Sequence, residues 1–130
     1  MALVCKQTPD IKISQETQTL TKGEDVVVCR ICHTVLTRPS HRTAVGGAFS
    51  HTFANPHGHV FEIGCFSQGE GCVSVSGPSS EFTWFPGYSW QIAACSGCGV
   101  HIGWIFSRDR KDLEGLMRFL GLILDKLIFP

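Results

Sequence analysis

Cys29-Arg30-Ile31-Cys32 and Cys95-Ser96-Gly97-Cys98 form two CxxC pairs. Each such turn aims two soft thiolates at one point, and two turns together supply the ligands of a closed tetrahedral zinc site. With Cys29, Cys32, Cys95 and Cys98 all engaged, no coordination position is open, so the metal is expected to be structural. The pairs lie far apart in the chain, and the ion would therefore tie together the ends of a whole domain. His33, beside Cys32, reads as a surface residue. Cys65 and Cys72 flank the turn Ser67-Gln68-Gly69-Glu70-Gly71. They are read as free buried thiols, with a cross-strand disulfide as the alternative; Cys5 is left over.

The tryptophans are the second chemical signal. Trp84 and Trp90 stand on either side of Pro86-Gly87, and Trp104 lies on the strand after the second cysteine pair. If the metal brings the strands flanking Cys95 and Cys98 together, three indoles converge into a rigid apolar box. Such a box stacks on flat uncharged rings or attracts cations to its ring faces. The competing reading is that the tryptophans are ordinary core. His51, His57, His59 and His101 form no catalytic pattern, although His57 and His59 have a spacing that a metal site can use. No carboxylate pair and no glycine-rich phosphate loop occurs.

The elements that must position these groups are short and β-rich. The 130 residues carry zero formal net charge, with fourteen glycines and six prolines. The absence of a basic stripe speaks against nucleic acid. No apolar run is long enough for a membrane span, because Glu114, Arg118, Asp125 and Lys126 interrupt the C-terminal one. The N-terminal apolar run is too short for a secretory signal, which favours the cytoplasm while leaving the compartment open. Residues 1–24 read as a polar flexible arm and 25–130 as one domain. Val26–Val28 predicts a strand delivering Cys29. Phe61, Ile63 and Cys65 share a strand face, and Val73 and Val75 suit its hairpin partner. Glu81–Trp90 reads as an aromatic loop, followed by a strand over Trp90–Ala94. Beyond Cys98, period-two alternation puts Val100, Ile102, Trp104 and Phe106 on one face and His101, Gly103 and Ile105 on the other. Leu113, Leu116, Met117, Leu120, Leu124 and Leu127 fit a helical stripe, whereas Phe119–Leu124 fits a buried strand.

Three segments, Ala54–Gly58 (ANPHG), Glu81–Trp90 (EFTWFPGYSW) and Cys98–Trp104 (CGVHIGW), resemble the CULT, or thalidomide-binding, domain family found in cereblon and its single-domain relatives. The match runs from about Val28 to the C-terminus. The resemblance implies a β-tent, two antiparallel sheets pinned by one structural zinc on four cysteines. It implies a cage of Trp84, Trp90 and Trp104 with Phe106 at the base. Backbone groups of Phe82, Thr83 and Trp84 would read a cyclic imide such as glutarimide; Asn55, Pro56 and His57 would lie beside the mouth and Glu81 on the rim. Phe119–Leu122 (FLGL) matches a family motif and favours a final strand over a helix.

Two departures from the family pattern bear on function. Position 82 is Phe where animal cereblons carry His, so only backbone readout is expected there. The Lon-like domain and adaptor-binding segment of cereblon have no counterpart here, so this chain alone is not expected to recruit a ubiquitin ligase. It reads as a single-domain relative in preference to an excised domain. The expected activity is non-enzymatic binding of cyclic imides, extending to uracil-type rings and to peptides ending in a cyclised Asn or Gln. Two other classes stay open: an aromatic cage for methylated ammonium groups, in which Glu81 would matter, and an enzyme like the B-type methionine sulfoxide reductases, which would have to use Cys65 or Cys72.

Overall fold

The computed structural model describes residues 25–109 and 115–130; the arm at 1–24, Cys5 and Leu113 lie outside the described residues. Among the described residues nine strands form: β1 (Val27–Cys29), β2 (Val35–Thr37), β3 (Ser50–Ala54), β4 (Val60–Phe66), β5 (Cys72–Ser74), β6 (Tyr88–Cys95), β7 (His101–Arg108), β8 (Arg118–Ile123) and β9 (Leu127–Ile128). They build two antiparallel sheets, β2-β1-β9 and β3-β4-β8-β7-β6-β5. The fold is the two-sheet β architecture expected.

Alternation sorts the large sheet's side chains onto two faces, and both are covered. On one face Phe66, Ala93, Cys95, Ile105, Leu120 and Leu122 pack with Val27, Cys29, Leu36 and Leu127 of the small sheet. On the other, Ile63, Cys65, Trp104, Phe106, Phe119 and Ile123 pack with Phe85 and Tyr88. β8 is buried from Phe119 to Ile123 because it sits between β4 and β7. That double burial explains why its sequence is apolar without interruption and resembled a helix stripe. The strand reading is the correct one; Leu124–Lys126 adds only a 3-10 turn.

The expected hairpin of β4 with the Val73–Val75 strand does not form. β4 pairs with β3 and β8, and β5 pairs with β6 at the far edge of the sheet. The connecting turn crosses beneath the small sheet, where Ser67 N–H donates to His41 O and Gly71 N–H to Leu36 O. Alternation fixes a strand's face but not its partner, which is why the sequence misled. Cys65 and Cys72 accordingly stand on opposite faces and are free thiols.

Candidate functional site

Both cysteine knuckles have the same backbone design. In the first, Cys29 N–H donates to Thr34 O and His33 N–H to Cys29 O; in the second, Cys95 N–H donates to Val100 O and Gly99 N–H to Cys95 O. The fifth residue of each is left-handed, His33 at φ 65° and Gly99 at φ 79°. His33 is thus a turn-forming residue as well as an exposed one, at a cost that Gly99 escapes. β1 and β6 end on Cys29 and Cys95, and the packing of the two sheets brings the knuckles together.

The four sulfurs lie within 4.8 Å of one another. Cys29 Sγ is 3.8 Å from Cys98 Sγ and Cys32 Sγ is 3.5 Å from Cys95 Sγ. Tetrahedral zinc at about 2.3 Å from each sulfur requires edges of about 3.8 Å. Gly97 N–H also points at Cys95 Sγ from 3.3 Å. The thiols are electrostatically at odds. The Thr34 hydroxyl and amide bring Cys32 down to about 6. Cys98, although the Val100 amide favours its thiolate, ends at about 11 through desolvation and its neighbouring thiols. A divalent cation removes that conflict, so the donor set fits a metal ion.

On the opposite face of the large sheet lies a cavity of about 640 Å³. In the β6–β7 register Trp90 faces Phe106 and Ile92 faces Trp104, so these four side chains tile one floor. Trp84 meets Trp104 edge to face at 4.7 Å and 71°, forming a corner. Its other face stacks on Phe53 at 4.9 Å, and its indole N–H donates to Ala54 O at 3.1 Å. The β3–β4 hairpin therefore holds the first wall in place. Trp90 is oriented by its own N–H, which donates to Glu81 O at 2.9 Å. Among the described residues no ring contact ties Trp90 to the other two indoles, which leaves the box open on that side. Phe106 is wedged between Phe85 and Phe119 and closes the bottom.

Of the residues singled out in the sequence, Asn55, Pro56, His57, Glu81, Phe82, Trp84, Trp90, Trp104 and Phe106 line this cavity. Asn55 caps the hairpin tip, its Oδ1 accepting the His57 and His59 amides. Thr83 does not line the cavity with its side chain; its hydroxyl donates to Tyr88 O at 2.8 Å and braces the loop from behind. Phe82 is left-handed at φ 55° and 74% exposed. A bulky residue in that conformation is strained, and such strain collects at functional sites. The backbone N–H and C=O groups of Phe82, Thr83 and Trp84 bond to no other described residue.

The sequence reading missed Phe61, Ile92 and His101, which also line the cavity. Phe61 and Ile92 were recoverable from alternation with Ile63 and Trp90. His101 was not, and the faces assigned to it and to Ile102 need correction. The β6–β7 register slips between Ala93, opposite Gly103, and Ala94, opposite His101, leaving Ile102 unpaired. This bulge turns Ile102 into the core beside the cysteine knuckles and His101 into the cavity, against Trp104 at 4.8 Å. Desolvation holds the His101 imidazole below its ordinary value; the Gly103 carbonyl opposes the shift and the Lys126 ammonium adds to it. Cys65 and Cys72 are both pushed up to about 12, Cys65 by burial and Cys72 by burial with Cys95 nearby. Neither is a thiolate at neutral pH, as sulfoxide reduction would need.

Among the described residues no helix is long and apolar enough to cross a membrane. No family model matches the chain. Curated proteins named cereblon do. The one from Xenopus tropicalis is 44% identical over 70 residues, 54% of this chain and 15% of its own length. That from Gallus gallus is 41% identical over 78 residues, 58% of this chain and 17% of its own. That from Drosophila melanogaster is 35% identical over 104 residues, 78% of this chain and 18% of its own. The chain thus spans about a sixth of the length of these relatives. With two antiparallel sheets and a clustered cysteine quartet suited to a metal beneath that likeness, the domain built by this chain is a cereblon-type domain.

Proposed function

We propose that the domain is a non-enzymatic binding module for cyclic imides, with one structural zinc at Cys29, Cys32, Cys95 and Cys98. The observation that carries this reading is the unpaired backbone of Phe82–Trp84 at the edge of an aromatic box. An imide presents acceptor, donor and acceptor in a row. A backbone C=O and N–H complement that row without any charged side chain, and three indoles shield the bonds from water. The left-handed backbone at Phe82 lies at the rim of the cavity that Phe82 and Trp84 line. Trp84, Trp90 and Trp104 stack on the ring while Phe106 closes the base; Asn55, Pro56, His57 and Glu81 frame the mouth. Because the readout is made by backbone, Phe at position 82 is compatible with it. The ligands are glutarimide, thalidomide-type molecules, uracil-type rings and peptides ending in a cyclised Asn or Gln.

The test is a tryptophan-fluorescence titration of zinc-loaded protein with glutarimide, using N-methylglutarimide as control. Saturable quenching by glutarimide and none by the N-methyl compound is expected, since a missing donor leaves a buried acceptor unpaired at about 1–3 kcal/mol. Equal responses to the two compounds, or saturation by tetramethylammonium instead, would refute imide readout.

A further inference from the structure

We propose that Cys32 is an oxidative modification site: a hydroperoxide oxidises its sulfur, Cys95 closes a disulfide onto it, and the metal is released. The inference rests on the metal reading of the cysteine quartet and is independent of what the aromatic cavity binds.

The four cysteines differ in access. Cys29 and Cys95 are buried, whereas Cys32 and Cys98 are exposed, so an oxidant from solvent meets the second cysteine of each knuckle first. Three features single out Cys32 of these two. Its Sγ lies 3.5 Å from Cys95 Sγ, against 3.8 Å between Cys98 and Cys29. The Thr34 hydroxyl stands 3.1 Å from Cys32 Sγ. Gly97 keeps one flank of that sulfur clear, since a Cβ there would collide with the Thr34 hydroxyl and stand 3.1 Å from Cys32 Sγ.

A cysteine that ligates a metal is a thiolate, and the thiolate is the nucleophile toward peroxides. The Cys32 sulfur attacks the hydroxyl oxygen of the hydroperoxide; an S–O bond forms, the O–O bond breaks, and the other oxygen leaves and takes a proton. An oxyanion accepts a hydrogen bond better than sulfur does. The Thr34 hydroxyl therefore stabilises the leaving oxygen more than it stabilises the resting thiolate. The Cys95 thiolate then attacks the Cys32 sulfur of the sulfenic acid. The S–S bond forms, the S–O bond breaks, and the departing hydroxide takes a proton to become water. Two thiolates have lost two electrons and the peroxide has gained them. Cys29 and Cys98 alone leave the metal two of its four ligands, which is too few to hold it. The new disulfide joins residues 63 apart in the chain, one from each knuckle, so the oxidised chain stays tied where the metal tied it.

The zinc-loaded chain is titrated with hydrogen peroxide. Released zinc is read with a chromogenic chelator, and disulfides are mapped by mass spectrometry after the remaining thiols are alkylated. One zinc should leave per peroxide consumed, with Cys32 joined to Cys95 and with Cys5, Cys65 and Cys72 still free thiols. Dithiothreitol with added zinc should restore the loaded protein. Thr34→Val should slow release about fivefold, the worth of one hydrogen bond in the transition state. Thr34→Ser, which keeps the hydroxyl, should react at the wild-type rate. Cys72→Ser removes the thiol opposite Cys95 in the β5–β6 pairing and should change neither rate nor product. A first disulfide between Cys72 and Cys95, or between Cys29 and Cys98, overturns the proposal, as does peroxide consumed with the zinc retained. Equal rates for wild type and Thr34→Val overturn the part given to the hydroxyl. A chain that takes up no zinc overturns the metal reading, and this inference with it.

Discussion

Gly121 lies where the cavity floor meets the core of the large sheet, so adding one methyl group there tests both. It sits in β8, opposite Trp104 on one side and Cys65 on the other. A Cβ at this position would stand 2.8 Å from Ile63 Cδ1 and 3.0 Å from Phe106 Cε2. The isoleucine methyl is the end of a flexible side chain and can rotate. Phe106 cannot yield cheaply, because Phe85 and Phe119 hold its ring at 4.9 and 5.0 Å. Overpacking of this kind costs about 1–3 kcal/mol. Replacing a strand glycine returns about 0.5–1 kcal/mol. Gly121→Ala should therefore lose about 1–2 kcal/mol net, a fall in Tm of roughly 4–9 °C for a domain of this size. Any movement of Phe106 goes into the box, so glutarimide affinity should fall as well. Gly77→Ala is the matched control, since nothing stands within 4 Å of its added Cβ and its φ is not left-handed; it should be neutral or slightly stabilising. Thermal and urea denaturation of zinc-loaded protein, with the glutarimide titration, measure both effects. A Gly121→Ala protein as stable and as ligand-competent as Gly77→Ala would refute the tight-floor argument.

Because His33 occupies the left-handed position that Gly99 occupies in the other knuckle, His33→Gly should stabilise by about 0.5–1 kcal/mol and Gly99→Ala should destabilise similarly, both read from urea midpoints. Cys98→Ser should abolish stoichiometric zinc, measured by elemental analysis, and lower stability by several kcal/mol, whereas Cys72→Ser should keep one zinc per chain. Tyr88→Phe removes the 2.6 Å hydrogen bond to Leu116 O from a buried site and should cost about 1 kcal/mol in the same denaturation assay. His101 has a folded pKa below its ordinary value, so the unfolded chain takes up the proton first. The His101 contribution to stability is present above about pH 6.5 and is lost as pH falls through the folded value; His101→Gln should show a shallower acid loss than wild type.

What the sequence made legible was chemistry carried by residue type at fixed local spacing. Two CxxC turns marked out four cysteines whose sulfurs the fold gathers within 4.8 Å, and Trp84, Trp90 and Trp104 marked residues that line one cavity, because residue type itself announces that chemistry. Strand faces were legible too, as far as alternation held without interruption. Long-range pairing was not. Nothing in Cys65–Cys72 says that β8, β7 and β6 will separate β4 from β5, since that order is decided by which strands can be buried on both faces. The bulge at Ile102 was invisible for a related reason. His101, Ile102 and Gly103 alternate like any strand, and only pairing with Ala93 and Ala94 shows that one residue is extra.

The two halves of the site are mechanically one unit. The second knuckle is the β6–β7 turn itself, running from Cys95 through Cys98 to Gly99. The same two strands carry Trp90, Ile92, His101, Trp104 and Phe106 into the cavity. Loss of the metal would free the end of this hairpin, and the bulge that aims His101 lies directly beside that end. The box corner made by Trp84 should resist longer, because Phe53, Phe61 and the Ala54 carbonyl hold it from the β3–β4 hairpin. Chelation should accordingly disturb the wall farther from that hairpin first. A single-tryptophan variant retaining Trp90 should report metal loss at lower chelator concentration than one retaining Trp84, with the remaining tryptophans replaced by Phe in both. Identical midpoints for the two reporters would mean that the zinc ties the sheets together without shaping the box.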